Sequence, residues 1–107
     1  MRQKMQGLCI QIVRFTDDHQ PGWVECEFMD AEGRKHVFVD KVPIFTVDPL
    51  DRTSTYPQPG IVRCEVLAEW RDDGGRDFVR VSTARPDNVE STEGLTEFIV
   101  LSTQLIG

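Results

Sequence analysis

The chain has 107 residues, 39% hydrophobic and 28% charged, with a formal net charge of −6. That length fits one β-domain, residues 1–107, able to bury about two-thirds of its unfolded surface without metal or disulfide staples. The composition excludes wholesale disorder, no apolar run approaches the ~20 residues that span a bilayer, and the acidic balance disfavours nucleic acid and anionic membrane surfaces.

The charge is uneven. Residues 1–16 carry three bases and no acid, and residues 17–32 carry six acids and no base. A basic protein is the natural partner for such a surface. Cys9, Cys26 and Cys64 form no C-x-x-C pair, and Cys26 and Cys64 sit within apolar alternation. Buried free thiols in a reducing compartment fit this pattern, and a cytoplasmic location is expected. The basic start runs into alternating Gln and Arg with no small-residue cleavage site, which reads as a strand and not as a signal peptide.

Residues 7–15 (GLCIQIVRF) suit a first strand, with Leu8, Ile10 and Ile12 on one face. Residues 16–22 (TDDHQPG) form a loop. Residues 23–43 (WVECEFMDAEGRKHVFVDKVP) read as a β-hairpin closed by a turn at Asp30–Gly33. A four-residue closure pairs Met29 with Arg34. It places Val24 opposite Val39 and Cys26 opposite Val37, with Phe28 beside Lys35. The other face then carries Trp23, Glu25, Glu27, His36 and Phe38. A three-residue loop with a Gly bulge instead puts Phe38 opposite Cys26 and His36 beside Phe28. The first register is preferred because it groups four small apolar residues, and one slipped residue reverses the assignment.

Residues 41–60 (KVPIFTVDPLDRTSTYPQPG) form a long connection, with Asp48-Pro49 starting at most one helical turn near 48–52. Ile44, Phe45, Val47, Leu50 and Tyr56 are expected to pin it across the sheet, as a core lid or as a binding loop. Residues 61–71 (IVRCEVLAEWR) alternate cleanly, with Val62, Cys64, Val66, Ala68 and Trp70 on one face. The Asp72–Gly75 turn returns residues 76–83, with Ala68 opposite Val79 and Val66 opposite Val81. Residues 84–94 form an acidic loop, residues 95–101 the last strand, and residues 102–107 a tail. The two hairpins share an acidic turn ending in Gly-Arg and a Val-x-Val return, which is common hairpin physics more than a duplication. About six strands with short hairpins predict an all-β fold, a small antiparallel barrel or barrel-like sandwich. A barrel of that size fills its own interior, so any site lies on the surface or in a loop-walled cleft.

No catalytic residue, metal ligand set or cofactor is expected. Cys26 and Cys64 lack a base placed to activate them in the preferred register. Cys9, His19, Cys26 and His36 have no close ligand spacing, and the phosphate-binding glycine motifs do not occur. Glu25 and Glu27 share a strand face, with Glu27 across from His36, and read as solvated carboxylates.

The leading expectation is a non-enzymatic protein-interaction module of inhibitor or immunity type. It would bind through Trp23, Glu25, Glu27, His36 and Phe38 with the flanking long loop. The alternative is a small-ligand binder or enzyme using a cleft between loops 41–60 and 84–94, with Tyr56, Arg85 and an acid such as Glu90. Nucleic-acid binding would require Arg63, Arg80, Arg52 and Lys41 to cluster. A homodimer is open to a chain whose last strand has an uncovered edge.

Overall fold

β1 (Lys4–Asp17) is the strand on which the others assemble in a computed structural model, which describes residues 4–107. Its two halves serve different neighbours. Residues 4–12 pair with β4 (Gln58–Arg71), and residues 11–17 pair with β2 (Trp23–Met29). Irregularities between Ile12 and Arg14 and between Phe15 and Asp17 bend the strand where it changes partner. β3 (Lys35–Lys41), β5 (Asp77–Ser82) and β6 (Glu97–Leu101) complete the antiparallel order β3-β2-β1-β4-β5-β6. The expected tail is structured. Ser102–Gln104 make a 3-10 turn, and β7 (Leu105–Ile106) pairs with β1 at Gly7 and Leu8.

The sheet curls into a half-barrel, and backbone bonds draw its two ends together. Thr92 N–H donates to Val37 C=O on β3, and Ala31 N–H donates to Ile99 C=O on β6. The second bond occupies part of the last strand's outer edge, which the sequence left open. The concave face is the core, with Leu8, Ile10 and Ile12 against Val24, Cys26 and Phe28, and Val62 and Cys64 against Val79, Val81 and Val100. Phe28, Phe38 and Phe98 meet at ring separations of 5.2–5.7 Å.

The first hairpin departs from the preferred register. Cys26 pairs with Phe38, Phe28 with His36, and Met29 with Lys35. Asp30 N–H bonds Arg34 C=O across a loop of Ala31, Glu32 and Gly33, with Gly33 at φ 84°. This is the Gly-bulge alternative, and it turns Phe38 and His36 inward while Val37 and Val39 face out. The physical reason is volume: two aromatic rings fill the curl better than two valines. The second hairpin has the same turn, with Asp72 bonded to Arg76 and Gly75 at φ 83°, so Glu69 and not Ala68 opposes Val79. A bulge between Val66 and Ala68 restores the expected Val66–Val81 pair. It also turns Ala68 and Trp70 away from the face of Val62 and Cys64, and Trp70 stacks on Phe78 at 5.8 Å in the open.

The helical turn near 48–52 is also displaced. The short helix α1 is Val42–Phe45, with Pro43 in its first turn, where a missing N–H costs nothing. Val42, Phe45 and Leu50 are buried in the core, so part of the connection is a lid, but Val47 is fully exposed. Beyond α1 the chain is tied by Asp51, whose carboxylate accepts from Thr53 N–H and Oγ1.

Candidate functional site

The expected hairpin face does not exist in the composition read from the sequence. Phe38 and His36 are buried, and only Trp23, Glu25 and Glu27 remain on the outer face, half-buried. That face is also charge-balanced. Arg14 lies 3.5 Å from Glu25, Lys35 lies 3.5 Å from Glu27, and the Lys41 ammonium sits 5.6 Å over the Trp23 ring. Pairs so exposed contribute little stability, but they leave no concentrated negative patch. The long connection does not cover this face with Ile44, Phe45 and Leu50, because Phe45 and Leu50 are inside the barrel.

His36 Nε2–H donates to Asp30 Oδ2 at 2.8 Å, and its buried Nδ1 has no partner among the described residues. Asp30 also accepts Glu32 N–H and Arg34 N–H on Oδ1. Burial alone would raise the Asp30 carboxyl; the bonds from His36, Arg34 and Glu32 outweigh it and hold the group below its ordinary value. The pair locks the turn onto the aromatic cluster, with the His36 ring 4.8 Å from Phe98.

The register brings His36 to the Cys26 face, yet no hydrogen bond joins them, and burial, then Glu25 and Asp40, push the Cys26 thiol up. Burial likewise pushes the Cys64 thiol up to about 11. Both are free and buried, whereas Cys9 is free and exposed. His19 is held by Asp17 at 2.6 Å on the surface, away from both core cysteines. Among the described residues no group of three or more His, Cys, Asp or Glu could hold a metal ion, and no helix is long and apolar enough to cross a membrane.

Tyr56 and Arg85 do not meet. The Tyr56 hydroxyl donates to Asp51 C=O at 2.7 Å within its own loop, and Arg85 is exposed. Arg63, Arg80 and Arg52 are engaged separately by Asp87, Glu97 and Asp18, and Lys41 lies over Trp23.

Among the concavities formed by the described residues is a groove of about 870 Å³ between the 43–47 segment and the outer side of β1, β4 and β7. Ile44 and Val47 form one wall, and Ile61 and Ile106 form the opposite side. Cys9 lies on its floor beside Ile61, its partner across the β1–β4 ladder. Arg63 and Asp87 close one end through two bonds of 2.8 and 3.1 Å, so the charges there cancel. The groove therefore lies between the two connections that the sequence named, but with Asp87 in place of Arg85 and without Tyr56. Ile61 was the available signal: it is an apolar residue on the charged face of β4, opposite small Cys9 and next to Gly7. At Gly7 an added Cβ would strike the Ile61 side chain, so Ile61 lies across the glycine.

Compared with protein-family models, curated proteins and solved structures, the chain finds no match.

Proposed function

We propose that this protein is a non-enzymatic interaction module that holds a segment of a partner protein in the groove between the 43–47 segment and β4. One observation carries the reading. Val47 is fully exposed at the lip of a groove of about 870 Å³ whose opposite wall bears half-buried Ile61 and exposed Ile106. A large aliphatic side chain left in water beside other aliphatics contributes nothing to folding, and contiguous apolar surface of this kind marks binding sites. Trp23, Glu25 and Glu27 form a separate, charge-paired face and are assigned no contact with the partner. The acidic balance of the chain favours a basic partner over nucleic acid, and the free thiols favour the cytoplasm.

Cys9 provides the test. It is exposed on the groove floor, whereas Cys26 and Cys64 are buried, so a thiol-directed photo-crosslinker attaches there selectively. Irradiation in native extract should give one reproducible protein adduct, lost in Ile44→Asp. A second reading has its own support, because the groove's volume lies within the range of about 300–1,000 Å³ typical of small-molecule sites. On that reading the adduct carries a small apolar molecule and no protein. Adducts that Ile44→Asp leaves unchanged would refute both.

A further inference from the structure

We infer that the groove takes its partner by strand addition: an extended, apolar, non-acidic segment of another protein pairs with the open side of β4 over residues 58–64. The inference rests on the groove being the binding site and specifies how it is used.

β4 is paired on both sides only where its two ladders overlap, at Glu65 and Val66. Its first half, Gln58 to Val66, is laddered to β1, but β5 joins its other side only from Glu65 onward. β5 ends at Ser82, its last residue laddered to β4, and Thr83 N–H continues the register on the far side by donating to Thr96 C=O. Among the described residues, the backbone of residues 58–64 makes no bond to any loop or turn. The open side of β4 faces the groove, whose lining includes Pro59, Gly60, Ile61 and Arg63.

Ladder geometry says which groups are free. In an antiparallel sheet, alternate residues direct their N–H and C=O to opposite neighbours. Pro59 has no N–H to donate, which suits a place on the open side, where pairing is absent. The same set continues as Ile61 and Arg63 and reaches Glu65, where the ladder with Ser82 begins. Ile61 and Arg63 therefore hold unpaired donors and acceptors toward the groove. An isolated apolar molecule would leave these groups unsatisfied, whereas an extended main chain satisfies them, with every second side chain turned into the groove.

The walls and charges select the occupant. The 43–47 segment stands beside the open side, so the slot admits a strand that has no sheet of its own behind it. A second copy carries the same net charge of −6, so like-charge repulsion disfavours it as the occupant. The two charged groups in the lining, Arg63 and Asp87, neutralise each other, and the molecule carries a net charge of −6. Charge complementarity then favours lysine or arginine flanking an apolar centre.

The test uses the full chain and a blocked peptide of alternating valine and threonine with a lysine at each end. About eight residues match the open side at ~3.3 Å per residue. Amide exchange is followed by NMR. Expected is fast exchange of the Ile61 and Arg63 amides in the free protein, slowed at least about tenfold by the peptide, with Val62 slow throughout. A peptide N-methylated on alternate amides should bind about tenfold more weakly for each bond lost. Ile61→Pro removes the donor and should weaken binding by at least that factor, while Ile61→Val keeps it; should Ile61→Pro not fold, the N-methylated peptide decides alone. Binding that shifts the signals of Ile44 and Val47 but leaves Ile61 and Arg63 unprotected would overturn strand addition while leaving the groove reading intact. Absence of binding by the peptide, or protection of both amides by self-association without it, would overturn the inference as well.

Discussion

Asp30 uses both carboxylate oxygens inside its own hairpin, and that makes it sensitive to pH. Its folded value is held below the ordinary 3.8 because His36, Arg34 and Glu32 donate to it against the penalty of burial. A carboxyl lowered by folding contributes stability above its unfolded value, and this is lost as pH falls through the folded value. In urea unfolding, wild type should exceed Asp30→Asn by a constant margin near neutrality, with the margin shrinking below about pH 4. Phe38 and Val39 differ as sharply. Phe38 is fully buried against three other phenylalanines, and Val39 is exposed. Phe38→Ala should cost about 3–5 kcal/mol and Val39→Ala within about 0.5 kcal/mol, read from denaturant midpoints. The slipped register would make Val39 the sensitive one. The sequence offers no way to choose, because Val37 and Val39 are as apolar a pair as His36 and Phe38 are bulky.

At the scale of elements, the two hairpins are one device used twice. Asp30-Ala31-Glu32-Gly33-Arg34 and Asp72-Asp73-Gly74-Gly75-Arg76 each close by a bond from the Asp N–H to the Arg C=O, and each Asp Oδ1 accepts the Arg N–H. Gly33 and Gly75 stand at φ 84° and 83° with no described atom within 4 Å of a prospective Cβ. Gly33→Ala or Gly75→Ala should therefore cost about 1–2 kcal/mol from backbone strain alone, and Gly33→Asn clearly less, as measured by thermal or urea unfolding. Gly60 is a contrasting case. Its prospective Cβ lies 2.9–3.0 Å from Ile12 and Ile10 side chains, so crowding and not φ excludes a larger residue. The shared D-x-x-G-R pattern was present in the sequence but fits a four-residue closure as well as a Gly-bulge loop; the left-handed glycine and the Asp–Arg backbone bond of the fold select the second.

At the scale of the molecule, charge and groove act separately. The groove lining is neutral because Arg63 and Asp87 cancel, whereas the whole chain carries −6. Long-range attraction to a basic-flanked segment should fade with salt, since the Debye length falls from about 10 Å at 0.1 M to about 3 Å at 1 M. Calorimetry should show affinity for the lysine-flanked peptide falling across that range, while a serine-flanked version of the same apolar centre holds or strengthens. Salt independence of both would remove charge from the account of recognition. The groove itself arises from chain routing: α1 follows β3, the 46–57 connection returns to β4, and the 84–88 segment brings Asp87 to Arg63.

Alternation of apolar residues determined that this chain makes strands, that Cys26 and Cys64 face a core, and that glycine turns close two hairpins. These are local consequences of a two-residue side-chain period. Register, bulges and the open side of β4 were decided only in the tertiary structure. A period of two is unchanged when a strand slips and both faces are partly apolar, so only packing inside the curl separates Phe38 from Val37. Whether a strand edge is covered depends on where a strand distant in sequence stops pairing with it, as β5 does with β4 after Ser82, and no neighbouring residue records that. The groove beside β4, and the site it offers, belong to this second kind of information.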